Sequence, residues 1–329
     1  MDIVNAFHSK VEYYHTLDAK DRKKFWSEMI INNALYILLI VAVIYTYVKN
    51  NKFLSAGSIM NIISLSAANI PIALGIGGCI VLTGTDLSAG RVVGLTACIA
   101  ASLEQSVEYA TKMFPNMPVI NPWIVILIVL AVGAVVGLVN GFFVAKFKLH
   151  PFIVTLATQL IVYGIILMYI SLNGNNGQPL SGLDKTFNNF VKGSILPSFG
   201  KNMFAVGSNP EAANVSGVNV MKTIILVHTL AGAMYGMTGF IESSRIGSNQ
   251  ANTGLNYECD AIAACVIGGV SFVGGTGKIS GIVLGVFLLR IIFVALQFLA
   301  INQNLQYVIK GLIILIACSI DMRKYLVRK

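Results

Sequence analysis

From Phe53 to Thr85 the chain runs thirty-three residues without a charge, and between Glu28 and Lys49 lie another twenty. About twenty apolar residues suffice for a helix to cross roughly 30 Å of hydrocarbon, so these runs confine the fold to a bilayer. The rest of the sequence agrees: of 329 residues 56% are hydrophobic and only 11% charged, too few to coat a water-facing surface. The predicted fold class is all-α, a polytopic transmembrane helical bundle.

Residues 1–28 mix Asp2, Glu12 and Asp18 with Lys10, Lys20, Arg22, Lys23 and Lys24 before any apolar core, which is not the pattern of a cleavable signal. Val4, Phe7, Val11, Tyr14 and Leu17 recur at helical spacing. This suggests an amphipathic segment on the inner leaflet with Trp26 near the interface, or equally a short packing helix. Residues 29–329 then form a single transmembrane domain.

Charge-poor segments fall at 29–48, 59–82, 86–103, 123–145, 151–172, 223–241, 261–277, 279–300 and 307–322, which makes nine. Basic residues set their orientation: five at the N-terminus, Lys146 and Lys148 in one tight loop, Lys201 and Lys222, and Arg323, Lys324, Arg328 and Lys329 at the end. All four places are predicted to be cytoplasmic, both termini included. The count then conflicts with itself. The segment at 151–172 leaves the cytoplasm and the chain must return before Lys201, yet residues 173–200 contain no apolar run of crossing length. Either a helix is missing just before Gly200, where SILPSF meets GKNMF, or a buried re-entrant segment takes its place.

Shifting the chain by 191 residues aligns IGGCIVLTGTDLSAGRVVG (76–94) with IGGVSFVGGTGKISGIVLG (267–285), with eight of nineteen positions identical. Chance matching of Gly-rich apolar helices competes with duplication, but the shared Gly-Thr step followed by glycines at equal offsets favours duplication. With the predicted topology the repeat is parallel. Gly-rich breaks in corresponding halves of a membrane protein point to a transport pathway.

The net charge of +9 lies at span ends and termini and forms no basic patch interleaved with aromatics, which argues against nucleic acid. Cys79, Cys98, Cys259, Cys265 and Cys318 contain no CxxC pair, and His8, His15, His150 and His228 are scattered, so no metal or catalytic constellation is predicted. GGTGKIS at 274–280 mimics a phosphate loop but has Phe272 where the first glycine belongs and Ile279 after Lys278. No nucleotide-hydrolysis site is expected in this chain, which is read as a transport subunit and not an enzyme. Asp86 is either a lining group of a polar pathway or a helix cap, Asp86 or Ser88 being able to cap the helix that begins with Arg91, and the cap is favoured. Arg290 and Lys310 either snorkel or pair. The polar loop 242–260 is placed outside, where Glu242 and Arg245, with Glu258 and Asp260, are candidates for docking an extracytoplasmic partner and an ordinary solvated loop is the simpler reading. Glu258 and Asp260 fall where the first turn of a helix welcomes negative charge.

FAVGSNPEAANVSGV (204–218) interrupts the apolar runs with turn chemistry. Ser208 or Asn209 can cap, Pro210 can open, Glu211 suits the first turn and Gly217 ends one exposed helix of two turns, with small Ala212, Ala213 and Ser216 along it. Such a helix fits a socket on another protein, or is a mere connector.

GKNMFAVGSNPEAANVSGVNV, GTDLSAGRVVGLTA and YECDAIAACVIGGVSFVGG resemble the membrane permeases of bacterial monosaccharide ABC importers, from about residue 30 to the C-terminus. The resemblance implies a ten-helix subunit in the inner membrane. It implies pairing as a homodimer, a cytoplasmic ATP-binding subunit that holds ATP and Mg, no cofactor in this chain, and delivery of galactose or methyl galactosides by a periplasmic sugar-binding protein. It assigns ATPase coupling to Asn209, Pro210, Glu211, Ala212, Ala213, Ser216 and Gly217. Gly84, Thr85, Asp86 and Ser88, with Gly275 and Thr276 in the second copy, are the candidate pathway-lining residues. This sequence departs from the family in lacking the span before GKN. An ion-coupled secondary transporter and a non-transporting or degenerate subunit are the alternatives.

Overall fold

The structure, a computed structural model, describes residues 34–184 and 206–326 together with Asp18, Asp21, Arg22 and Trp26. Most of the predicted N-terminal amphipathic segment and residues 185–205 lie outside the described residues. The described chain is helical nearly throughout: α1 (Ala34–Lys49), α2 (Ala56–Val81), α3 (Ala89–Leu103), α4 (Pro122–Phe147), α5 (Pro151–Ile170), α6 (Pro210–Val215), α7 (Val220–Ile246), α8 (Tyr257–Ile267), α9 (Ile279–Phe298) and α10 (Gln303–Leu326). Five of these, α2, α4, α5, α7 and α9, are long and apolar enough to cross a membrane. Val48, Leu127, Leu160 and Leu315 stand at least 64% exposed on helix surfaces, as lipid-facing side chains would.

α7 is the central helix and packs against α4, α3 and α2. Its seam with α4 is built from glycine. Gly133, Gly137 and Gly141 recur every fourth residue on α4, and a Cβ at Gly137 would lie 2.8 Å from the carbonyl carbon of His228; Gly232 and Gly236 answer from α7. Without a hydrophobic drive between helices in lipid, such close backbone approach supplies the packing energy. The antiparallel pairing brings the ends bearing Lys146, Lys148 and Lys222 together, and this is called the basic end of the bundle below.

One span predicted from charge is helical only in part. The segment 261–277 stops being helical at Ile267, and 268–278 is a chain of turns with Gly269, Gly274 and Gly275 at positive φ. The predicted loop 242–260 begins late, because ESSRI contains no helix breaker and α7 continues to Gly247, whose φ of 71° ends it. Residues 172–184 form a 3-10 turn and a short strand, Leu180–Ser181, which pairs antiparallel with Ser248–Asn249; no crossing occurs there.

At the end opposite the basic one, this ribbon and the segment after α3 make a cap. Gln105 Nε2 donates to the Ser181 carbonyl at 3.0 Å, and the Met113 amide donates to Gln105 Oε1 at 2.9 Å. Glu104, at the C-cap of α3, is fully buried, and neither carboxylate oxygen has a hydrogen-bond partner among the described residues. Burial, helped by Asp184 nearby, pushes its carboxyl from 4.5 up to about 7. The folded state therefore keeps a proton that the unfolded chain has released in that interval. This contribution to stability is complete below the ordinary carboxylate range and is lost as pH rises through about 7. Thermal unfolding of the detergent-purified protein should shift to lower temperature as pH is raised across that interval, and Glu104→Gln should flatten the dependence; an equally steep profile in the variant would exclude this assignment.

Candidate functional site: two half-helices and an exposed linking helix

α3 has 15 residues and α8 has 11, which at 1.5 Å per residue gives about 22 and 17 Å, less than a membrane crossing. Both begin inside the bundle, side by side. A Cβ at Gly90 would run into the Glu258 carboxylate and the Gly254 carbonyl, and one at Gly94 into the Thr253 carbonyl. Gly254 makes room through a φ of 79°. Two half-helix N-termini thus meet within the membrane domain, the arrangement by which broken helices form transport sites.

The first repeat turn is fixed by local chemistry. Thr83 at a φ of 61° ends α2, the Gly84 amide donates back to the Cys79 carbonyl at 2.9 Å, and Gly84 packs on Pro151. Asp86 is buried, and it does not cap α3. The N-cap residue is Ser88, without a side-chain cap bond, and Asp86 Oδ1 accepts from the Ser88 amide at 2.9 Å and the Ser88 hydroxyl at 2.6 Å. Tyr235 Oη donates to Asp86 Oδ2 at 3.2 Å. Asn140 Nδ2 donates to Ser88 Oγ at 3.0 Å, and Thr158 Oγ1 donates to Asn140 Oδ1 at 2.6 Å. One buried polar chain therefore ties the turn to α7, α4 and α5, satisfying groups that would be costly in hydrocarbon. Beside it the Arg91 guanidinium lies 4.1 Å over the Tyr163 ring and donates to the Ala251 carbonyl at 3.1 Å.

The second turn lies at the basic end and touches the first: the Gly275 amide donates to the Val81 carbonyl at 2.9 Å. Of the predicted lining residues, Gly84, Asp86 and Ser88 are buried, Thr85 and Gly275 half-buried and Thr276 exposed. The structure brings Gly84 and Gly275 to neighbouring turns, with Asp86 and Ser88 deeper along the first.

Arg290 and Lys310 do pair. Asp260 Oδ2 lies 3.2 Å from Arg290 and Oδ1 2.7 Å from Lys310, while Arg290 also donates to Asn69 Oδ1 at 2.6 Å. One carboxylate at the start of α8 so holds α9, α10 and α2 together. Glu258 and Asp260 both sit in the first turn of α8, as the charge pattern predicts. Glu242, fully buried, accepts from Arg245 at 2.6 Å within α7; Arg245 keeps 30% of its side chain exposed. These two candidate docking residues lie on a helix and not in a loop.

α6 follows the sequence closely. Asn209 is the N-cap, its Oδ1 accepting from the Glu211 and Ala212 amides at 3.0 Å each; Pro210 opens the helix and Gly217 takes a φ of 85°. Glu211, Ala212, Ser216 and Gly217 are exposed and Ala213 is turned inward at 5%. Sequence reasoning missed Val215, which is 89% exposed, the most exposed large apolar side chain described. It also missed Tyr235, Asn140 and Thr158, although a polar residue inside an apolar helix is itself a signal.

The branched-chain amino acid transport system / permease component family matches residues 58–195 and 197–318. The chain belongs to this permease family. Among its relatives, the galactose/methyl galactoside import permease MglC of Salmonella typhimurium is 43% identical, covering 93% of this chain and 98% of its own. MglC of Haemophilus influenzae is 40% identical over 92% and 97%, and the ribose import permease RbsC of Escherichia coli 30% over 88% and 92%. No solved structure matches the chain. The Salmonella alignment extends over 333 positions while covering 93% of a 329-residue permease, so the relative carries residues that this chain lacks. The family match to this permease divides at residue 196, inside the segment where charge counting places a missing crossing.

Proposed function

We propose that the chain is the membrane-spanning subunit of an ATP-driven importer that moves galactose or methyl galactosides from a periplasmic binding protein to the cytoplasm. The basic end faces the cytoplasm, both termini lie on that side, and two copies pair in the inner membrane. ATP and Mg are bound by a separate subunit seated on α6. The observation that carries this reading is α6 itself: a capped, six-residue helix at the basic end, holding Val215 out at 89% exposure where an unpartnered apolar side chain has no stabilising role. The cargo is supported by the names of the relatives, 34–43% identical for galactoside permeases against 30–32% for ribose permeases.

An ion-coupled mechanism gains one observation, because Asp86, Glu242, Glu258 and Asp260 are all buried in the bundle where the sequence suggested only Asp86. Two of the four are ion-paired, Glu242 with Arg245 and Asp260 with Arg290 and Lys310, as structural charges would be. Galactoside uptake into proteoliposomes separates the readings. The importer requires the ATP-binding subunit, the binding protein and ATP together; uptake driven by an ion gradient without them would overturn it, and no uptake under any condition would indicate a non-transporting subunit.

A further inference from the structure

Just before α6, residues 206–208 are helical, with Val206 and Gly207 buried. Gly207 lies between the two repeat turns. A Cβ built there would overlap the Val81 carbonyl, 2.8 Å from its carbon, and would stand 3.0 Å from the Gly275 amide nitrogen. The contact is reciprocal: a Cβ at Gly274 would meet Thr83 Cγ2 and come 2.7 Å from the Gly207 carbonyl oxygen, and one at Gly275 would press on Ser208, 2.8 Å from its Cα. The Gly275 amide, bonded to the Val81 carbonyl, closes the junction. Three backbones, from the end of α2, the second repeat turn and the segment leading into α6, are in mutual contact at Gly207, with the Thr83 methyl and the Ser208 side chain packed beside them.

We infer that Gly207 is the positioning residue through which a displacement of α6 reaches both broken helices, the three backbones moving as one rigid junction. This rests on the proposal that α6 receives the ATPase. Close-packed backbone transmits displacement because it has no rotamers to absorb it, and α6 begins only three residues further along. Glycine is required at 207 by space alone: any side chain must separate Val81 from Gly275.

The test is Gly207→Ala in the full transporter, reading sugar imported per ATP hydrolysed alongside co-purification of the ATP-binding subunit. Assembly and hydrolysis should persist while sugar per ATP falls roughly tenfold, within the span of site-to-site coupling energies. A structural defect alone would lower assembly and leave the ratio unchanged. If the variant fails to assemble, hydrogen exchange in the wild-type transporter decides: the Gly275 amide, bonded to the Val81 carbonyl, should stay equally protected with and without ATP if the three backbones move together. An unchanged sugar-to-ATP ratio in Gly207→Ala, or loss of that protection when ATP is added, overturns the inference. Wild-type uptake that needs no ATPase overturns the importer reading and this one with it; normal wild-type coupling beside an unaffected Gly207→Ala overturns this one alone.

Discussion

Val215→Arg is expected to weaken association with the ATP-binding subunit by an order of magnitude or more while leaving the membrane domain folded. The side chain is 89% exposed and α6 is held from its other side by the buried Ala213, so the substitution disturbs nothing within the chain. At an interface, an apolar anchor replaced by an unmatched charge costs on the order of 2 kcal/mol or more, roughly a thirtyfold loss of affinity. ATP-driven uptake should fall accordingly, as should the amount of ATP-binding subunit recovered with the purified permease. Glu211→Arg, on the same exposed surface, should act in the same direction. Ala213→Arg would be a poorer probe, because its side chain points inward and the helix itself would be displaced. Full association of the Val215 variant would remove α6 from the interface.

Asp260→Asn should have an effect as large, on stability. Its side chain is 6% exposed and answers two cations, Arg290 and Lys310, themselves 13% and 19% exposed. Asn69 supplies Arg290 with one further acceptor, which cannot neutralise either charge. Removing the carboxylate that pairs with both cations among the described residues leaves buried charge uncompensated, at a cost of about 3–5 kcal/mol. The variant should accumulate poorly in membranes and unfold well below the wild type in detergent. Asp260→Asn/Lys310→Met, which deletes one surplus charge, should recover part of the loss. Normal accumulation of the single variant would show that the cluster is hydrated and structurally dispensable.

Elements governed by short-range chemistry were legible in the sequence. Asn209, Pro210, Glu211 and Gly217 fix the cap, start and stop of α6 through backbone bonds within a few residues, and the helix forms where those residues place it. The Gly-rich segments of the repeat likewise end their helices, at Val81 and Ile267. Charge counting was weaker, because hydropathy measures how apolar a segment is and not whether its backbone continues as a helix: 261–277 is apolar, yet its glycines turn the chain after Ile267. Conversely ESSRI reads as a polar loop, but Glu242 and Arg245 satisfy each other one turn apart and let α7 continue. Contacts between distant segments left only indirect traces. That Tyr235 would reach Asp86, or that Gly207 would meet Val81 and Gly275, depends on how α7, α2 and the segment before α6 pack. The sequence supplied an unexplained Tyr and Gly, and packing supplied their roles.

The central claim is that a separate ATP-binding subunit sits on α6. A photoreactive side chain placed at position 215 of the otherwise intact transporter, irradiated in native membranes, measures this directly. The account predicts a covalent adduct with the ATP-binding subunit whose yield changes when ATP is added. Adducts with lipid alone, or none in vesicles that still import sugar, would contradict it.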